Sequence, residues 1–244
     1  MTIIDEVRRL ETSALRTWPA LETQMFGGWQ FGADGGYSNR VNSANALAPS
    51  RPFAEILRAA DLFYAQRRQP TIFRITALAG DAADQYLDQQ GFSKITPSLV
   101  MTADLETFQA SADVKIIDGF SDVWLHDVGR AKGLDAEASG QHRRILSRIA
   151  ASTGYATLMI DDAAVGFGLV VVDPPFAGLF DIVVTPACRG SGKGSLIVSA
   201  LLAWAKDRGA EKAFLQVHEA NAAAVKLYEK HGFSTAYDYH YRLR

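Results

Sequence analysis

Apolar positions along the chain alternate between helical and strand-like runs. Over 2–17, Ile3, Ile4, Val7, Leu10 and Leu15 recur at mostly helical spacing and the run stops at Trp18-Pro19, which predicts an amphipathic helix. Aromatics and glycines around "ADGG" in "MFGGWQFGADGGYSNR" predict a hairpin. Phe53, Ile56, Leu57, Ala60 and Phe63 then share one helical face. "TIFRITAL" reads as a buried strand, 81–90 as a helix and "SLVMTADL" as a further strand.

The second half follows the same outline at greater length. "DVKIIDG" predicts a strand, and helices are expected over 122–132 and 137–152. Three β-branched runs follow, "YATLMID", "AVGFGLVVVD" and "GLFDIVVTP", punctuated by Asp161-Asp162 and Pro174-Pro175. After "ACRGSGKG" a helix should run to about 208, with Leu196, Ile197, Ala200, Leu201 and Trp204 inward and Gly209 as its stop. "KAFLQV" is a strand, "NAAAVKLYEKHG" a helix, and aromatic-rich "STAYDYHYRL" ends the chain.

The two halves share more than their outline. Gly91-Phe92-Ser93 reappears as Gly232-Phe233-Ser234 at an offset of 141, and Phe73-Arg74-Ile75 stands opposite Leu215-Gln216-Val217 at an offset of 142. One small insertion reconciles the two, so the expected fold class is α/β with two related halves, 1–107 and 108–244, and a polar junction at 104–113. Independent recurrence of βαβα units would give the same outline.

Composition narrows the function. Of 244 residues, 48% are hydrophobic and 21% charged, ordinary values for a chain with a sizeable core. A net charge of −2 provides no global field for nucleic acid or an anionic membrane. The start lacks the apolar stretch of a secretory signal, and "SLIVSALLAWA" is too short to span a bilayer. One cysteine, Cys188, excludes an internal disulfide or a cysteine-based metal cluster, and the five histidines show no ligand-like spacing. A soluble cytoplasmic protein without a metal is expected.

The chemistry concentrates in "VTPACRGSGKGSLIV". A strand ends at Pro186, a glycine-dense loop follows, and a helix begins near Gly192. Such a loop lets backbone N–H groups approach a phosphate, and the helix start adds partial positive charge. Arg189 and Lys193 add two cations, and the first helical turn holds no acid. The nucleoside-triphosphate loop fails at Ala187 and Gly194, and the dinucleotide loop fails at Ser195. What remains is Arg189-x-x-Gly192-x-Gly194; a plain glycine-rich turn before a helix stays the alternative.

That loop, following a strand that ends in Val-x-Pro, resembles the pyrophosphate motif of GNAT superfamily N-acetyltransferases. "NAAAVKLYEKHGF" is similar to the family's next motif, with Asn221 and Tyr228 seven apart and so on one helical face. The resemblance covers about 114–244. It implies a GNAT-like mixed sheet flanked by helices, with a degenerate GNAT-like N-terminal half, and acetyl-coenzyme A as co-substrate. It also implies acetyl transfer to a primary amine of a small molecule or peptide by direct attack. The alternative is a non-catalytic sensor of coenzyme A or its acyl esters. Homodimer formation is left open.

Residue by residue, the resemblance implies that Arg189, Gly190, Ser191, Gly192, Lys193 and Gly194 hold the pyrophosphate. Val183 or Val184 would offer backbone N–H to the thioester carbonyl and contact the pantetheine. Asn221 would bond the pantetheine arm, unless it is only an N-cap. Tyr228 would protonate the departing thiolate, unless it is only a core aromatic. Asp181 is the nearest candidate base, with a structural hydrogen bond as its alternative; His218 is the less favoured choice. The predicted helices over 122–152 would wall the acceptor side. Their basic run His142-Arg143-Arg144 reads mainly as a solvated face. In the first half Leu87 stands opposite Tyr228 and Gly80 opposite Asn221, and "LAPSRPF" has no glycine. Only the second copy is therefore equipped for chemistry. The first would cover or shape the acceptor side, with Trp29, Tyr37 or Arg40 either lent to a pocket or packed in a hairpin.

Overall fold

The computed structural model describes residues 2–105, 112–119 and 121–244, so most of the expected junction at 104–113 lies outside the described residues. The chain forms two compact units, one of 1–100, 218–220 and 236–244, the other of 101–217 and 221–235.

The first unit opens with helix α1 (Ile3–Thr17), started by a capping box between Thr2 and Asp5. Its inner face buries Val7, Leu10 and Ala14. Strands β1 (Glu22–Phe26) and β2 (Trp29–Ala33) then form a hairpin. Its turn is Gly27-Gly28 and not the expected "ADGG". Both glycines have positive φ, 55° and 81°, as a two-residue turn that matches strand twist requires. A Cβ on Gly28 would lie 1.8 Å from the Ala48 carbonyl oxygen.

Strand β3 (Ala44–Ala46) pairs antiparallel with β2 and parallel with β4 (Ile72–Ile75). Helix α2 (Phe53–Ala65) packs its apolar face on this sheet, where Trp29, Phe53 and Phe73 meet with ring centroids 5.3–5.6 Å apart. Trp29 is thus ordinary hairpin packing, and Arg40 lies over the Trp18 ring. Helix α3 (Asp81–Gln89) and strand β5 (Ser93–Asp104) follow. β5 is several residues longer than the apolar run "SLVMTADL" implies.

The second unit contains β6 (Val114–Asp118), α4 (Asp122–Lys132), α5 (Ala136–Leu146), β7 (Ser152–Ile160), β8 (Ala163–Asp173) and β9 (Phe176–Val184). Helix α6 (Lys193–Lys206), β10 (Lys212–His218) and α7 (Ala222–Glu229) come next. β6 to β9 are an antiparallel meander, and β10 joins β9 in parallel. α5 stops at Leu146, short of the expected 152, which is instead the first residue of β7. Residues 169–172 of β8 are all buried, as a strand covered on both faces should be.

The last strand, β11 (Ser234–Leu243), crosses between units. From Ala236 it belongs to the first, where it pairs antiparallel with β4 and buries Tyr239 and Tyr241 against Ile72 and Val100. Conversely, the end of β5 belongs to the second unit, where the Leu105 N–H bonds the Glu211 carbonyl at 2.8 Å. Each half of the sequence thus contributes its final strand residues to the unit built mainly from the other half.

Candidate active site

Strand β9 ends at Val184, and a short 3-10 turn at Pro186–Cys188 leads into the loop and α6. Gly190 and Gly192 take φ of 74° and 77°, and nothing lies within 4 Å of a Cβ added at either. Glycine is therefore required there by conformation rather than by crowding. Gly194 differs: its missing Cβ would sit 3.1 Å from Leu227, so glycine lets α6 and α7 approach closely. Ser195 Oγ and His231 Nε2, 2.8 Å apart, tie the same two elements. The first turn of α6 has no acidic residue and Gly192 gives it no side-chain cap, so its free N–H groups face outward unmasked.

This loop forms one end of a cavity of about 510 Å³. Ile182, Val183 and Val184 line it, as do Arg189, Gly190, Gly192, Lys193 and Gly194, with Ala223, Lys226, Leu227 and Lys230 opposite. The lining includes four cations and no carboxylate. The other end follows from the sheet. β9 and β10 pair over three residues each, 176–178 with 212–214, and the described residues show no pairing between them beyond that. The remainder of β9 is left with backbone groups available on that side.

Just before the cavity, β9 is irregular. Phe167 pairs with Val183 and Leu169 with Phe180, so Asp181 and Ile182 together oppose Gly168. Asp181 takes a φ of 52° in this bulge. Its side chain is 4% exposed and lies between Lys132 Nζ at 2.5 Å and His142 Nε2 at 2.7 Å. Burial alone would raise its pKa, but Lys132 and His142 outweigh that and hold the carboxyl well below the usual range. The bulge is therefore fixed to both α4 and α5.

The family described as "Probable histone acetyltransferase Rv0428c C-terminal" matches residues 4–242. The chain belongs to this family and, with it, to the GNAT superfamily of acetyltransferases. It is 30% identical to an uncharacterized N-acetyltransferase, YobR, of Bacillus subtilis, over 99% of this chain and all of that one. A GCN5-related N-acetyltransferase from Kribbella flavida superposes with a TM-score of 0.74 at 14% identity, covering 97% of this chain and 94% of that one. A tandem GNAT protein from the clavulanic acid biosynthesis pathway gives 0.65 at 15% identity, over 96% and 87%. These two structures speak to the fold; family and relative together make the chain an acyltransferase.

In this GNAT chain the remaining predicted residues take distinct places. Ser191 is exposed beside the cavity, its Oγ donating to the Cys188 carbonyl at 2.7 Å. Arg189 Nε donates to the Val184 carbonyl at 3.1 Å, fixing the loop to the strand end. Asn221 caps α7, accepting from the Ala224 N–H at 3.2 Å. Tyr228, two turns on from Asn221 and like it not among the cavity's lining residues, is buried with its ring edge-on to Phe233, and burial pushes its phenol up to about 12. His218 accepts from the Ala220 N–H at 3.2 Å, a turn role.

Sequence reasoning missed Lys132, His142, Lys226 and Lys230. His142 is expected on a solvated face, yet its side chain is fully buried against Asp181. The available signal is its spacing, since His142, Ile145 and Leu146 fall at i, i+3 and i+4 and are all buried. Between α4 and α5 lies a second cavity of about 480 Å³, with Asp122, His126, Asp135, Arg130 and Arg143 among its lining. Its mixed charge favours neither sign of ligand. No group of three His, Cys, Asp or Glu able to hold a metal occurs among the described residues, and no described helix is long and apolar enough to cross a membrane.

Proposed function

We propose that this chain moves the acetyl group of acetyl-coenzyme A to a primary amine of a small molecule or peptide, using the second unit alone. The observation that carries the proposal is the 510 Å³ cavity. It joins a carboxylate-free cationic loop at a helix start to a strand end whose backbone groups lack sheet partners. A pyrophosphate suits the first, because open glycines and unmasked N–H groups solvate an anion without steric conflict. An extended pantetheine amide chain suits the second, because it can supply the missing strand hydrogen bonds.

In this reading Arg189, Lys193 and the N–H groups of 190–194 hold the pyrophosphate. Val183 or Val184 donates N–H to the thioester carbonyl as it becomes an oxyanion. The amine nitrogen attacks the carbonyl carbon, the C–S bond breaks, and the departing sulfur takes a proton from Tyr228. Burial keeps that proton on the phenol throughout the neutral range, so the donor is always loaded. Asn221 serves both as cap and as a pantetheine contact. Asp181 stays ionised and is a weak base in its own right. It serves best by holding the bulge, while the amine nitrogen loses its proton to a water that passes it to bulk solvent.

Calorimetric titration with acetyl-coenzyme A tests this reading, followed by amine-dependent release of free thiol across a panel of polyamines and lysine or N-terminal peptides. One site per chain is expected, abolished by Gly192→Glu, which places a carboxylate in the loop. Absence of binding by folded protein would refute the donor. Binding with no thiol release for any amine would leave the sensor reading in its place.

A further inference from the structure

The loop and the start of α6 already supply a pyrophosphate with cations and N–H donors, which leaves two cavity-lining cations unassigned. Lys226 of α7 and Lys230, its C-cap residue, both line the cavity. With Ala223 and Leu227 they fall at i, i+3, i+4 and i+7, on a single helical face that borders the cavity. Both lysines are exposed, and neither ammonium has an ion-pair or hydrogen-bond partner among the described residues. Glu229, the one carboxylate of the helix, does not line the cavity. Like charges at i and i+4 repel, a cost the free helix bears without return.

The first half supplies an internal control. At the offset of 141 that aligns Gly91 with Gly232, Lys226 and Lys230 correspond to Gln85 and Gln89. Those glutamines are also exposed, on a helix that ends in the same way. Glutamine and lysine have similar helix propensity, so the helix itself does not demand the charge. The cation pair occurs in the copy with the glycine loop and not in the copy without it.

We propose that Lys226 and Lys230 form a subsite for a second phosphate group, the 3′-phosphomonoester on the ribose of coenzyme A. The inference rests on the reading of the cavity as a coenzyme A site and adds to it a discriminating feature. The dianion relieves the repulsion between the two ammonium groups. Ala223 and Leu227 offer an apolar surface beside them for the nucleoside. The protein thus distinguishes coenzyme A from its 3′-dephospho form by charge on α7, independently of the loop.

The test compares titrations of coenzyme A and 3′-dephospho-coenzyme A on wild-type protein and on the Lys226→Gln/Lys230→Gln variant, which copies the first half. Wild type should prefer coenzyme A by about tenfold at low salt, as two partly exposed ion pairs supply, and the preference should shrink as salt rises. The variant should bind both ligands alike, with the affinity wild type shows for the dephospho form. Equal binding of the two ligands by wild type would overturn the subsite while leaving the cavity's assignment intact. So would a preference that survives in the variant. Failure of folded wild type to bind either ligand would overturn the subsite together with the donor assignment.

Discussion

Helices α3 and α7 end alike and begin differently. In both, a glycine with φ near 80° follows the last turn, Gly91 at 78° and Gly232 at 80°. In both, the next N–H reaches back five residues, Phe92 to the Leu87 carbonyl at 3.0 Å and Phe233 to the Tyr228 carbonyl at 3.2 Å. The residue accepting that bond is a fully buried leucine in the first copy and a buried tyrosine in the second. At the other end, Gly80 opens α3 with no side-chain cap while Asn221 caps α7. The C-terminal stop is common property; the N-cap side chain and the polar residues that could do chemistry are confined to one copy. A recurring unit can thus keep its stop signal, which sets where the following strand begins, while its helix positions differ in ways that leave the stop intact.

The sharpest way to break this contrast is to make the second copy resemble the first. Tyr228→Leu should lower amine-dependent thiol release by about 10²–10⁴-fold, the usual contribution of a positioned acid. Acetyl-coenzyme A affinity and the melting temperature should change little, because leucine fills the equivalent position in α3 without strain. A variant that retains wild-type turnover would remove Tyr228 from the chemistry and make both helices structural.

Each unit also buries a carboxylate, and the two should respond differently. Glu11 in α1 pairs with Arg74 of β4, and Tyr237 donates to it at 2.5 Å. Glu11→Gln leaves the Arg74 charge without its counter-ion and should cost about 3–5 kcal/mol of stability. Once folded, the variant should bind acetyl-coenzyme A as before. Asp181→Asn should cost less, about 3 kcal/mol, because Lys132 remains partly exposed to water. Its signature is pH dependence. The folded pKa of Asp181 lies below its unfolded value, so its stabilisation is complete above that unfolded value and lost as pH falls through the folded one. The gap between wild type and Asp181→Asn, read by denaturant unfolding, should therefore narrow from about pH 4 downward. A gap independent of pH would mean the pairing contributes nothing.

Much of this is legible in the sequence, for a definite reason. α4 begins and ends where its periodicity predicts, and the glycine loop, its strand and its helix are local patterns that few other structures satisfy. The hairpin turn is misplaced by the sequence because "ADGG" and Gly27-Gly28 carry equal turn chemistry. Only the close approach of Ala48, twenty residues on, selects Gly28. His142 is misread for a related reason. Its charge run points to solvent and its helical face to the core, and the deciding contact comes from β9, thirty-nine residues away. The passage of β11 into the first unit is a pairing of 240–243 with 72–75, and no local pattern encodes a partner at that distance.

The smallest effects probe the caps. Gly91→Ala and Gly232→Ala meet no atom within 4 Å, so each should cost only the left-handed backbone penalty, about 1–2 kcal/mol, and by equal amounts. Asn221→Gly goes further while changing stability less. Glycine is a tolerable N-cap, and losing the Asn221 side chain in its favour should cost only a few tenths of a kcal/mol. A residue that is only a cap would then leave acetyl-coenzyme A affinity within about twofold, since a few tenths of a kcal/mol is all that could be transmitted. A residue that also bonds the pantetheine should weaken affinity by about tenfold, the value of one hydrogen bond lost from an otherwise intact site. Calorimetry on a single variant therefore separates the two roles, because stability and affinity are predicted to move by different amounts. If both move together, α7 is a helix capped like any other, and its difference from α3 reduces to Tyr228 and the two lysines.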